Sequence, residues 1–167
     1  RFQMIVGAGC HDEPEPRCRG VAHYLEHLVM LGRNPGHSDA AVRLFGDGGA
    51  NGWTVDRATV FFQMLPARPA GPRADLERLF GFYADRLKAF AITPEDAARE
   101  RQVVAQEHDW RVQSNAFVPL ERALNAALTP DRPSGQWTIG EREAILTLTV
   151  EEARAFHADW YHRNNAH

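Results

Sequence analysis

A short motif near the start of the chain places three ionisable side chains in an otherwise apolar segment. The segment from Val21 to about Leu31 is apolar on most sides, which predicts a buried helix. Its three ionisable residues are His23, Glu26 and His27. On a helix they fall within an arc of about 100° and face one point. An apolar helix has no structural reason to bury three such groups on one face, so we expect the chain to fold around a polar centre here.

The spacing of the motif is typical of a metal site. Two imidazoles four residues apart on a helix, here His23 and His27, can chelate one zinc ion. The carboxylate of Glu26 between them is placed to accept a proton from a metal-bound water instead of binding the metal itself. This HxxEH order is the reverse of the commoner HExxH. Catalytic zinc usually has three protein ligands and one open position, so a third ligand is expected elsewhere in the chain.

A second predicted helix carries candidates for that ligand. Thr93 and Pro94, followed by two acids, are a typical helix start, and the helix should run to about Val112. Glu100 and Glu107 are seven residues apart on it, which returns to within about 20° of the same face. One carboxylate can bind the metal while the other supports the site without touching the ion.

The remaining patterns predict strands and further helices in an order that favours α+β or α/β over all-α. Strands are expected over residues 2–9 and within residues 53–65, and apolar spacing predicts helices over residues 73–90 and 118–128. Ser38 is a plausible N-cap for a short helix over residues 39–45, and a capping box at Thr149 begins a last helix that ends near Tyr161. Loops are expected over residues 10–19, 32–36, 66–72 and 130–140.

Taken together, these motifs resemble the N-terminal catalytic domain of the insulinase/pitrilysin family of zinc peptidases, peptidase family M16. The resemblance rests on HYLEH preceded by Gly20, on the two spaced glutamates about 80 positions later, and on the segment GANGWT between them. It covers nearly the whole chain, from the strand at Phe2 to Tyr161. It implies an α+β fold with a mostly antiparallel sheet packed by helices, the LuxS/mitochondrial-processing-peptidase-like metallohydrolase domain. Residues 1–167 would then be a single domain of a longer protein, truncated at both ends.

The resemblance also implies roles for individual residues. His23, His27 and Glu107 match the family's zinc ligands, Glu26 its catalytic base and Glu100 its supporting acid.

A further segment matches the place where the family binds substrate. Asn51 and Gly52 lie where the family has an edge strand that pairs with the substrate backbone, and Gly52 stands where many relatives have Ala. Trp53 either lines the substrate groove or covers a sheet edge, and the sequence favours neither.

The implied function is that of a zinc-dependent endopeptidase with one zinc ion per domain, acting on unfolded peptides or small proteins. Relatives enclose the peptide between this domain and homologous ones, which makes such domains, on the same chain or on a second subunit, the expected partners. The alternative is a non-catalytic structural or assembly subunit of the same family. Such members usually lose ligands, whereas this sequence keeps all four ligand and base residues. A purely structural zinc module is disfavoured, because those sites favour Cys and closed four-ligand sets.

Composition excludes several other functions. With 19 basic against 22 acidic residues, a net charge of −3 and no basic block, the chain is not expected to bind nucleic acid. No apolar run approaches the ~20 residues that span a bilayer, so we expect a soluble domain, cytoplasmic or periplasmic in a bacterial-type cell. Cys10 and Cys18 match no CxxC site. We expect unlinked thiols, with a disulfide in an oxidising compartment as the alternative.

Overall fold

The computed structural model of the chain describes residues 1–31, 49–64, 73–88, 92–128 and 137–167. Within these ranges there are three strands, namely β1 (Phe2–Val6), β2 (Ala50–Thr54) and β3 (Thr59–Gln63). The helices in the same ranges are α1 (Val21–Leu31), α2 (Arg73–Lys88), α3 (Pro94–Ser114), α4 (Phe117–Leu128), α5 (Arg142–Thr147) and α6 (Val150–Trp160), and one 3₁₀ turn lies at Cys10–Asp12. The strands pair antiparallel, which confirms the predicted α+β class.

Helix boundaries agree with the predictions where a cap marks them. α1 has the predicted limits. α3 begins after Thr93, whose Oγ1 accepts the Asp96 N–H at 3.1 Å. α6 begins after Thr149, which forms the predicted capping box with Glu152. The helices predicted over residues 73–90 and 118–128 correspond to α2 and α4.

Elsewhere the structure differs from the predictions. β1 ends at Val6 instead of residue 9, and the strand region predicted within residues 53–65 is a hairpin whose first strand begins in the glycine-rich run. Helix α5 was not predicted, because six residues are too few to show a helical period. The predicted helix over residues 39–45 with its cap Ser38, the loops over residues 32–36 and 66–72, and residues 130–136 lie outside the described ranges.

The sheet has the order β1-β3-β2, so β3 is central and β2 lies at an edge. In the described ranges, no strand pairs with the outer edge of β2. The outer edge of β1 is bonded to the last residues of the chain: Ile5 exchanges two backbone hydrogen bonds of 2.9 Å with His167, and the Gly7 N–H donates to the Asn165 carbonyl at 3.0 Å. The edge beside α1 is therefore the one left open in this part of the chain.

Helix α1 lies at the centre of the hydrophobic core, packed against β2, α3 and α6. Hydrogen bonds from two polar side chains join it to the neighbouring helices. The Tyr24 hydroxyl donates to the Ala97 carbonyl of α3 at 2.7 Å, and the buried Arg86 of α2 donates from Nε to the Val29 carbonyl at 3.0 Å. None of the described helices is both long and apolar enough to cross a lipid bilayer.

The N-terminus of α1 is capped by a buried carboxylate from the preceding loop. Glu13 is 3% exposed, and its Oε2 accepts the Arg19 and Gly20 N–H groups at 2.8 and 3.2 Å. Its Oε1 accepts the Ala22 N–H at 2.9 Å. These donors have no partner inside the helix, and a negative charge at a helix N-terminus is stabilising. The sequence did not reveal this cap, because Glu13 is too far from the helix start to match a capping box.

Gly20 itself is required by the backbone at this point. Its φ is +99°, a region that favours glycine, and a Cβ there would lie 2.4 Å from the Ile139 carbonyl oxygen. The chain therefore enters α1 by passing directly against the backbone of residue 139.

The prediction of unlinked thiols is wrong, because Cys10 and Cys18 form a disulfide. The loop between them folds back on itself: the Cys18 N–H donates to the Cys10 carbonyl at 3.2 Å, and the two Cα atoms are 4.4 Å apart, within the range that a disulfide spans. The disulfide closes the loop that carries Glu13.

Replacing Glu13→Gln should destabilise the domain, because an amide places an N–H₂ group among backbone donors and removes the charge. We expect the free energy of unfolding, measured by urea denaturation, to fall by about 2 kcal/mol. Glu15→Gln is the matched control in the same loop, since the Glu15 side chain is 76% exposed and pairs only with exposed Arg17 among the described residues. Its effect should stay within about 0.5 kcal/mol. Equal effects would show that Glu13 does not cap α1.

Candidate metal centre

Three side chains converge on one point, from two helices that are far apart in sequence. Glu107 Oε2 of α3 lies 3.5 Å from His23 Nε2 and 3.2 Å from His27 Nε2 of α1, and the three atoms all lie within 4.8 Å of one another. Ligand atoms around a tetrahedral zinc ion are separated by about 3.3–3.6 Å, given metal–ligand bonds of about 2.0–2.2 Å. The donor set and its spacing therefore fit a zinc ion.

His23 is the most buried member of the cluster. It is 5% exposed, and its Nδ1 has no hydrogen-bond partner among the described residues. Burial, together with the neighbouring His27, lowers the pKa of His23 to about 3. The imidazole is therefore neutral at pH 7, which is the form that binds a metal ion.

His27 lies between two carboxylates. Its Nδ1 faces Glu100 Oε2 at 3.5 Å, on the side opposite to Glu107. Burial disfavours the charged imidazole and would lower the pKa of His27. The carboxylates of Glu100 and Glu107 have the larger effect and raise this pKa to about 9. Glu100 therefore lies behind the imidazole of His27, where a carboxylate would orient the ring of a metal-bound histidine and strengthen it as a donor.

The two oxygens of Glu107 have different partners. Oε1 accepts a hydrogen bond from Arg111 Nη2 at 2.5 Å, whereas Oε2 faces the two imidazoles. Burial would raise the pKa of Glu107, but His27, His23 and Arg111 together lower it to about 2. The carboxylate is therefore ionised, with one oxygen directed at the cluster. Arg111 was not predicted, although an arginine four residues after a glutamate on a helix is a readable pattern.

Glu26 lies beside the cluster but outside it. Its Oε2 is 3.9 Å from His23 Nε2 and accepts a hydrogen bond of 2.8 Å from the Thr54 hydroxyl of β2. Its Oε1 lies against Gly52, where a Cβ would come within 2.8 Å of that oxygen. Burial raises the pKa of Glu26 to about 7, which suits a group that must accept and return a proton near neutrality. Thr54 was not predicted, because nothing in one sequence links residues 26 and 54.

The edge strand β2 presents its backbone next to this carboxylate. A hydrogen bond of 2.9 Å from the Val55 N–H to the Ala58 carbonyl identifies the odd-numbered residues as the ones bonded to β3. The N–H and C=O of Gly52 therefore point outward from the sheet. The Asn51 side chain folds over this edge, and its Oδ1 accepts the Gly52 N–H at 2.9 Å.

Trp53 lies away from the cluster. Side chains alternate along a strand, so Trp53 points to the face opposite Gly52 and Glu26. It is 38% exposed, and its ring centroid lies 5.6 Å from that of Phe62. This placement favours the interpretation that Trp53 covers the sheet.

A small cavity opens between α1 and β2. Its walls combine ionisable groups of the cluster with apolar side chains at the end of α1 and the backbone of the edge strand; they are Glu26, His27, Met30, Leu31, Asn51, Gly52 and Glu100. A side chain entering this space would lie directly beside the candidate metal centre.

The chain is similar to known proteins in sequence and in fold, although no family model matches it. It is 32% identical, over 97% of its length, to coenzyme PQQ synthesis protein F of Pseudomonas aeruginosa, and 29% identical, over 88%, to the zinc protease PqqE of Helicobacter pylori. It superposes on the periplasmic protease PqqL from Escherichia coli with a TM-score of 0.83, at 22% identity over 98% of the chain. The chain spans 21%, 32% and 18% of the lengths of these three proteins.

Metal binding at this centre should release protons. His27 is protonated below its pKa of about 9, and an ion bound to Nε2 must displace that proton. We expect about one proton released per zinc ion near pH 7.5, with an apparent affinity that falls about tenfold for each unit of pH below 9. Calorimetric titration in two buffers of different ionisation enthalpy measures the release. Binding without it would show that His27 is neutral before the metal arrives.

Proposed function

Because the chain belongs to the M16 family of zinc peptidases, we propose that it is the catalytic domain of a zinc-dependent endopeptidase. The observation that carries the proposal is the convergence of His23, His27 and Glu107 on one point, with Glu26 beside them. The proposed substrates are unfolded peptides or small proteins. Because all four of these side chains are present and gathered in one place, the geometry supports a peptidase over a non-catalytic structural or assembly subunit.

His23, His27 and Glu107 would hold the zinc ion, and Glu100 would support His27 from behind. A zinc ion held there would supply Lewis acidity, to acidify water and to polarise a peptide carbonyl. Glu26 acts as the base: its carboxylate lies beside the cluster, with Oε2 3.9 Å from His23 Nε2, where it can accept the proton from water and deliver it to the leaving amine.

The edge strand β2 would bind the substrate. An extended peptide can add to an exposed strand edge through backbone hydrogen bonds, and Gly52 offers an outward N–H and C=O beside Glu26. The Asn51 side chain must first release the Gly52 N–H. Backbone pairing gives little sequence preference, so preference would come from the cavity beside Met30 and Leu31.

Two further parts of the proposal concern the partners of the domain and its compartment. Homologous M16 domains, on the same chain or on a second subunit, would close over the bound peptide as its partners. The disulfide between Cys10 and Cys18 favours an oxidising compartment, and we propose the bacterial periplasm over the cytoplasm.

Glu26→Gln should abolish cleavage without removing the metal. The amide keeps the size of the side chain but cannot accept the proton, and loss of a general base typically costs about 10²- to 10⁴-fold in rate. Cleavage of an unfolded peptide by the full-length protein and zinc content by metal analysis are measured together. Glu77→Gln on α2 is the control, since the Glu77 side chain is 67% exposed and is paired with Arg73. Unchanged cleavage in Glu26→Gln would overturn the proposed role.

Glu107→Gln and Glu100→Gln should weaken zinc binding to different degrees. Glu107→Gln removes the ionised ligand, so zinc content should fall to a small fraction of stoichiometric. Glu100→Gln alters only the group behind His27, and loss of such a partner typically lowers metal affinity about 10- to 100-fold. Competition with a chromogenic chelator measures both affinities. Stoichiometric zinc in Glu107→Gln under that competition would show that another side chain is the third ligand.

A further inference from the structure

A buried hydrogen bond joins the edge strand β2 to Glu26, and neither of its two residues is a candidate metal ligand. Thr54, the last residue of β2, is 9% exposed, and its hydroxyl donates to Glu26 Oε2 at 2.8 Å. Among the described residues, no other hydroxyl or N–H group donates a hydrogen bond to this carboxylate. Strand and helix thus meet through one hydrogen bond between two side chains that are 28 residues apart in sequence.

Packing alone does not account for a threonine at this place. A β-branched residue suits a strand, and valine has nearly the same shape, so the hydroxyl is what distinguishes threonine here. Thr59, directly opposite on β3, is fully buried and uses its own hydroxyl elsewhere, donating to the Ala8 carbonyl at 2.9 Å. The Thr54 hydroxyl is therefore free to bond to Glu26.

The two oxygens of Glu26 are treated differently by the same face of β2. Thr54 bonds Oε2, whereas Gly52, two residues earlier on that face, leaves room for Oε1 where a Cβ would approach to 2.8 Å. The strand therefore sets both the rotation of the carboxylate and its distance from the sheet. The outward backbone groups of Gly52 belong to the same short stretch.

We propose that Thr54 is a positioning residue for Glu26: its hydroxyl fixes the rotation of the carboxylate, and so the position from which Glu26 accepts the proton of the reacting water. This inference rests on the proposed peptidase function. It also ties the base to the strand that would bind substrate, so that a peptide paired with Gly52 is held in register with Glu26. Small displacements matter in such a site, since about 1 Å can cost about 100-fold in rate.

The test compares Thr54→Val, which keeps the shape and loses the hydroxyl, with Thr54→Ser, which keeps the hydroxyl. In the full-length zinc-loaded protein, Thr54→Val should lower kcat per bound zinc by about 10- to 100-fold and leave KM within about threefold. Thr54→Ser should restore most of kcat. Thr59→Val is the matched control, because it removes a buried hydroxyl from the opposite position, and its kcat should stay near that of the wild type.

A second measurement does not depend on activity. Crystal structures of the wild type and Thr54→Val should show the Glu26 carboxylate rotated away from β2 in the variant, with zinc content unchanged. Wild-type kcat per zinc in Thr54→Val, or an unmoved carboxylate, would overturn the role of Thr54 while leaving the peptidase proposal intact. A wild-type protein that cleaves no peptide, or a Glu26→Gln variant that cleaves normally, would instead overturn the peptidase proposal.

Discussion

The structure depends on two opposing requirements of one helix: α1 lies at the centre of the hydrophobic core, and it also carries the ionisable groups of the candidate site. α1 must be buried because Leu25, Leu28 and Val29 are fully covered by the sheet and the neighbouring helices. The same burial takes His23 and Glu26 out of water, at a cost that only partners or a bound ion can offset. β2 and α3, which pack on α1, therefore each bring a polar side chain to it.

Those partners come from separate parts of the chain, and each contacts a different part of α1. Glu13 satisfies the N-terminal N–H groups, α3 brings two glutamates to the imidazoles, and Thr54 reaches Glu26 from the sheet. The resulting pKa values diverge, with His23 lowered by burial and His27 raised by its carboxylates. Pairs of titratable groups driven apart in this way are characteristic of sites that handle protons and metal ions.

The features that the sequence predicted are those that depend on residues close together in the chain. α1, its three ionisable residues and the two glutamates of α3 are set by helical periodicity, which is local, so their faces could be read before the fold was known. β2 was only partly predicted, because alanine, asparagine and glycine are poor strand formers and its pairing with β3 decides its conformation. The disulfide and the hydrogen bond from Thr54 to Glu26 depend on how the chain returns in space. A single sequence carries no signal for these.

The pairing of the last residues with β1 has a consequence for how the domain meets other chains. Exposed strand edges invite association with any extended segment, including an identical copy. With residues 165–167 lying along β1, that side of the sheet is occupied by the molecule's own backbone. Within the part of the chain that the structure describes, strand addition is thereby confined to the side that faces Glu26. Because the edge at β1 is paired in this way, an extended chain that added to the sheet would do so along β2, next to Glu26.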